Sequence, residues 1–132
     1  MKLDHVGIAV EDLEASSRLY ESLGLACGGR EEVEEQKVTV VFFSIGETRL
    51  ELLQSTDPEG PIGKFIARKG PGLHHLCVEV PDVADVLERL AAEGFQLIDR
   101  IPRAGAGGCK VAFVHPKSTG GVLLELSEKP RK

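Results

Sequence analysis

The residues of this chain best suited to chemistry are two histidines and two glutamates: His5 in LDHVGIAV, His75 in LHHLCVEV, Glu51 in RLELL and Glu125 in LLELS. Each lies among aliphatic side chains, where an unpaired ionised carboxylate costs several kcal/mol to bury. A divalent cation held by imidazole nitrogen and carboxylate oxygen removes that cost. Such a donor set suits Co²⁺, Mn²⁺, Ni²⁺ or Zn²⁺, with room left for water or substrate. Taken singly, each residue has a plainer reading. A histidine beside an aspartate, as in Asp4-His5, is ordinarily a surface or satisfied interior group, and a glutamate on a strand more often faces water. Recurrence shifts the balance, because chance rarely duplicates a polar pair while keeping its apolar context.

The recurrence belongs to the chain as a whole. LDHVGIAV laid over LHHLCVEV aligns His5 with His75 and Val10 with Val80 at an offset of 70 positions, and the same offset puts Gly24 on Gly94. Each glycine closes an amphipathic stretch. Asp12 to Gly24 places Leu13, Leu19, Tyr20 and Leu23 roughly on one helical face, and Asp82 to Gly94 does the same with Val83, Val86, Leu87 and Leu90. Short β-rich runs follow each helix: Lys37 to Ile45 and Thr48 to Leu53 in the first half, Val111 to Val114 and Val122 to Leu126 in the second. Each half therefore reads as strand, helix, then about three strands, with a connector from Gln54 to Gly72 that has room for a short helix around Phe65-Ile66. Alternation along a strand turns Leu50, Leu52, Leu124 and Leu126 away from Glu51 and Glu125. Two modules related by a pseudo-twofold axis would bring their equivalent residues together, giving one site from two imidazoles and two carboxylates. His74 falls on the strand face opposite His75 and is assigned outward, while His115 in HPKS reads as a turn or substrate-contact residue.

Composition sets the outer limits. At 132 residues with 42% apolar and 28% charged side chains, the chain fits one domain with a core of its own. A net charge of −5 without a basic cluster argues against nucleic acid. No apolar run reaches the roughly 20 residues that cross a bilayer, and the start MKLDHVGIAV lacks a signal-peptide core, so a cytoplasmic location is expected. Cys27, Cys77 and Cys109 are odd in number and widely spaced, which suggests neither a disulfide framework nor a thiolate zinc site; they read as small buried hydrophobes. Cys109 lies in a glycine-rich stretch that favours exposure, with no motif marking it as a nucleophile.

Beyond these local signals, DHVGIAVEDLE, EEQKVTVVFFSIGETRLELL, PIGKFI, GLHHLCVEV and KVAFVHPKSTGGVLLEL together run along nearly the whole chain. The pattern resembles the vicinal oxygen chelate (glyoxalase) superfamily and, within it, the methylmalonyl-CoA epimerase family. DHVGIAV alone is similar only to the superfamily; RLELL with HPKSTGGVL narrows the likeness to the epimerases. The resemblance implies an α+β fold in one domain over residues 1–132: two tandem βαβββ modules, about 1–53 and 73–132 around a connector at about 54–72, forming a cup-shaped mixed sheet. It implies one divalent ion, cobalt foremost, on His5, Glu51, His75 and Glu125, and epimerisation at C2 of methylmalonyl-CoA through a metal-stabilised enolate in propionyl-CoA metabolism. Glu125 and Glu51 would exchange the proton, with Glu35 in reserve, and Lys117, Ser118 and Lys64 would contact the acyl-CoA. A homodimer is expected on the same ground. Some family members carry Gln at the position of Glu51, many carry His where Gly107 stands here, and some carry an acid where this chain has Val40. Rival readings on the same fold are a glyoxalase I-type lyase and a metal-free, ligand-sequestering protein of the bleomycin-resistance kind. A ring-cleaving dioxygenase fits less well, since it wants only two histidines and one carboxylate.

Overall fold

The computed structural model describes residues 1–131, and it contains two compact units, one of His5–His74 and one of Met1–Asp4 with the residues from His75 onward. Along the chain the elements are β1 (Lys2–Ala9), α1 (Leu13–Ser22), β2 (Cys27–Val33), β3 (Val38–Ile45), β4 (Thr48–Ser55) and α2 (Pro61–Lys69), then β5 (Gly72–Glu79), α3 (Val83–Ala92), β6 (Arg103–Ala104), β7 (Lys110–Val114), α4 (Pro116–Thr119) and β8 (Leu123–Glu128). The strand order is β2-β3-β4-β1 in the first half and β5-β8-β7-β6 in the second. β1 and β4 run parallel, as do β5 and β8, and the remaining neighbours within each set are antiparallel. Both halves are thus βαβββ modules of mixed direction, as the repeat predicts. Among the described residues, no helix is long and apolar enough to cross a membrane.

The repeated helices begin and end by the same local chemistry. Asp12 Oδ1 accepts from Ala15 N at 3.2 Å and Asp82 Oδ1 from Asp85 N at 3.0 Å, so each aspartate satisfies a free amide of the first turn. Gly24 (φ 95°) and Gly94 (φ 89°) take the left-handed conformation just past each helix, where a Cβ would be strained. A further pair of contacts ties each helix to the last strand of its own half. Leu13 N donates to Gln54 Oε1 at 2.6 Å in the first half, and Val83 N donates to Glu128 Oε1 at 2.9 Å in the second.

Burial corrects one helical face. Leu13 and Ser17 are buried on α1 and Tyr20 is partly buried, whereas Leu19 and Leu23 are 59% and 67% exposed. At about 100° per residue, positions 13, 17 and 20 form one stripe and 19 and 23 stand well off it. The serine in the middle of the true stripe disguised it. On α3 the equivalent residue is Leu87, and Val83, Val86, Leu87 and Leu90 pack as predicted on Val78, Ala112, Val114, Leu124 and Leu126. α1 covers Ile8, Val41, Phe43, Leu50 and Leu52. The predicted connector helix is α2, which opens at Pro61 and sets Ile62, Phe65 and Ile66 against Ala9, Val38, Val40 and Leu53. Of the cysteines only Cys77 is buried; Cys27 is exposed because it begins the outer strand β2, and Cys109 is intermediate.

Candidate metal centre

Register decides which side chains share a face. In the first half Gly7 lies opposite Glu51 on the parallel neighbour, and His5 opposite Arg49, so His5, Gly7, Arg49 and Glu51 all emerge on the face away from α1. The second half repeats this with Cys77 opposite Glu125 and His75 opposite Leu123. Each carboxylate also has a phenylalanine across the antiparallel neighbour: Phe42 opposite Glu51 and Phe113 opposite Glu125. His5 and His75 are 70 positions apart, whereas Glu51 and Glu125 are 74 apart, so the repeat preserves the register rather than the spacing.

The side chains meet pairwise within each half. His5 Nδ1 is 3.6 Å from Glu51 Oε2, with the two side chains 10% and 12% exposed. His75 Nε2 is 4.0 Å from Glu125 Oε1, at 12% and 16%. Both halves therefore hold an imidazole next to a carboxylate in near-complete burial, which is costly for the acid unless a cation compensates it. A protein cation stands beside the first pair: Arg49 Nη2 donates to Glu51 Oε2 at 3.3 Å and lies 3.4 Å from His5 Nδ1. Imidazole nitrogen and carboxylate oxygen, paired in this way in each half, are donors of the kind that divalent transition ions take. The candidate ligands are His5 and Glu51 in the first module and His75 and Glu125 in the second.

The remaining predicted residues fall into place more unevenly. Val40 lies on the same face as Glu51, buried in the apolar cluster under α2, so an acid there in a relative would face the same side. Glu35 is exposed in a 3₁₀ turn over Glu34–Gln36. Lys64 and Lys117 are exposed on α2 and α4. Ser118 Oγ accepts from Gln96 N at 2.8 Å, and His115 Nδ1 accepts from Lys117 N at 3.0 Å, so both residues shape the α4 turn. Gly107 has φ 65° and ψ 23°, a left-handed conformation that glycine adopts without strain. His74 is a correction: it points to the other face of β5 from His75, yet it is not in open water. Its ring packs edge-on to Phe65 at 4.9 Å, and burial pushes its pKa below the usual histidine value.

Nothing in the repeat marks Arg49, because its counterpart, Leu123, is apolar. Gln54 and Glu128 were missed because they differ in type and lie off the 70-residue offset.

A family model described as the Glyoxalase/Bleomycin resistance protein/Dioxygenase superfamily matches residues 4–113. The uncharacterised Bacillus subtilis protein YqjC is 45% identical over 128 residues, covering 96% of this chain and 91% of that protein. The mitochondrial methylmalonyl-CoA epimerase of Dictyostelium discoideum is 41% identical over 131 residues, covering 97% of this chain and 78% of the relative. Among solved structures, a methylmalonyl-CoA epimerase in complex with methylmalonyl-CoA and an ammonium ion superposes with a TM-score of 0.84 at 32% identity, over 97% of this chain and 94% of that one.

Proposed function

We propose that this chain, which belongs to the Glyoxalase/Bleomycin resistance protein/Dioxygenase superfamily and within it to the methylmalonyl-CoA epimerase family, is an isomerase that epimerises C2 of methylmalonyl-CoA by metal-assisted proton exchange. The observation that carries the reading is the duplicated His–Glu pair, His5 with Glu51 and His75 with Glu125, set at matching register in both modules. The ligand held by the solved epimerase supports an acyl-CoA substrate.

C2 of the substrate lies between a thioester carbonyl and a carboxylate, and removal of its proton leaves a charge delocalised over the thioester. Bound to His5, Glu51, His75 and Glu125, a divalent ion would supply positive charge where that negative charge develops. Glu125, ionised, takes the C2 proton as a general base on one face, and Glu51, protonated at the start, gives its proton to the other face as the acid. The configuration inverts, the proton count is conserved, and the two glutamates end with their protonation states exchanged, to be reset through solvent before the next turnover in the same direction. The reverse reaction exchanges the two roles. Phe42 and Phe113 lie directly across from Glu51 and Glu125 and set an apolar ring beside each carboxylate. Lys64 and Lys117 are exposed cations suited to the phosphates of the CoA arm, and Ser118 holds the turn that carries Lys117.

Incorporation of solvent deuterium at C2 of methylmalonyl-CoA tests the proposal directly. The wild type should exchange, and Glu125→Gln and His5→Ala should each lose about 10²-fold or more while their circular dichroism stays native. Full exchange in either variant refutes the site. Turnover of the glutathione hemithioacetal of methylglyoxal without such exchange would assign the chain to the lyases of the same fold instead.

A further inference from the structure

Each half places an arginine over the phenylalanine that faces its glutamate, but the two arginines do different work. In the first half the Arg49 guanidinium carbon lies 5.8 Å from the Phe42 ring centre. Its Nη2 then reaches Glu51 Oε2 at 3.3 Å and His5 Nδ1 at 3.4 Å. In the second half the Arg103 guanidinium carbon lies 5.1 Å from the Phe113 ring centre. That arginine comes from β6, and its Nη2 is paired with Asp99 Oδ2 at 3.4 Å, the same carboxylate oxygen that accepts from Phe113 N at 2.8 Å. The strand position equivalent to Arg49 is Leu123, which carries no charge.

We infer that Arg49 is a positioning residue that fixes the His5–Glu51 pair before any ion arrives. It acts through Glu51 and His5, and the inference rests on the metal-site reading above. Through Nη2, Arg49 holds Glu51 Oε2 beside His5 Nδ1, while the ring of Phe42 flanks the guanidinium. Glu51 is 12% exposed and Arg49 47%, so the arginine forms the solvent-side boundary of the pair. The second half aims its arginine at Asp99.

The test compares wild type, Arg49→Leu, which copies the second half, and Arg49→Lys, which keeps the charge. Each is titrated with Co²⁺ while its visible absorption is recorded, and kcat and KM are measured for epimerisation at saturating Co²⁺. Expected for Arg49→Leu is an altered Co²⁺ spectrum and a kcat lower by about tenfold, with KM and thermal midpoint close to wild type. Arg49→Lys should restore the spectrum and most of kcat. An Arg49→Leu protein with the wild-type spectrum and kcat overturns the inference while leaving the metal site standing. A loss of kcat that Arg49→Lys fails to restore, under an unchanged spectrum, also overturns it. A wild type that takes up no Co²⁺ removes the parent reading, and this inference falls with it.

Discussion

Away from the proposed ligands, Glu128 is the residue whose loss should be felt most. It is 6% exposed, and its Oε1 is the acceptor for Val83 N at the start of α3. Glu128→Ala should strand a buried amide and cost about 1–3 kcal/mol, whereas Glu128→Gln keeps an acceptor in place, as Gln54 does for α1, and should cost less. Urea unfolding of the two variants beside wild type checks this; equal stability of all three would show that the contact is replaced by water. The same residue marks the limit of what the sequence could disclose. His5, His75, Glu51 and Glu125 were legible because type, apolar setting and approximate position all recur. Glu128 and Gln54 recur in role alone, and Arg49 does not recur at all. Leu19 and Leu23 misled in the opposite direction: their hydrophobicity placed them on a face from which helix geometry excludes them.

Local signals were decisive for the elements, since Asp12, Asp82, Gly24 and Gly94 bracket the two long helices through hydrogen bonds and dihedral angles that need no tertiary information. The strands β2 and β6 were harder to find. β2 is CGGREEV and mostly exposed, so it shows no apolar alternation, and β6 is two residues long. As the outermost strands of their sets they gain from charge and shortness, which discourage pairing with other chains. α2 offers a sharper test of tertiary control. Alanine is favoured over glycine inside a helix by about 1 kcal/mol, yet a Cβ on Gly63 would sit 2.7 Å from Asp57 O and from Pro58 Cα and O. Those neighbours are backbone and cannot step aside, and overpacking of this kind typically costs about 1–3 kcal/mol. Gly63→Ala should therefore destabilise the protein by up to about 2 kcal/mol despite its better helix propensity. A raised thermal midpoint in that variant would show that the Ser55–Gly60 turn yields.

For the whole molecule, the proposed site draws half of its donors from each module, so occupancy is a property of the entire folded chain. An ion that binds the native state alone adds about 2.7 kcal/mol at a hundredfold excess over its Kd. For a chain of this size that raises the thermal midpoint by on the order of 10 °C. Co²⁺ should produce such a rise in the wild type and none in His75→Ala; an undiminished rise in His75→Ala would remove the second module from the site. The two modules also show that duplication preserves hydrogen-bond register more faithfully than residue spacing, which is why an extra four positions between His75 and Glu125 leave the pairing intact. A last consequence comes from the strands that close each module. β4 carries Glu51 on one face and the α1 anchor Gln54 on the other, and β8 does likewise with Glu125 and Glu128. Inserting a single amino acid between the members of either couple would rotate one of them to the wrong side, severing the proposed ligand from helix docking in one stroke. Those two tetrapeptides therefore act as fixed rulers.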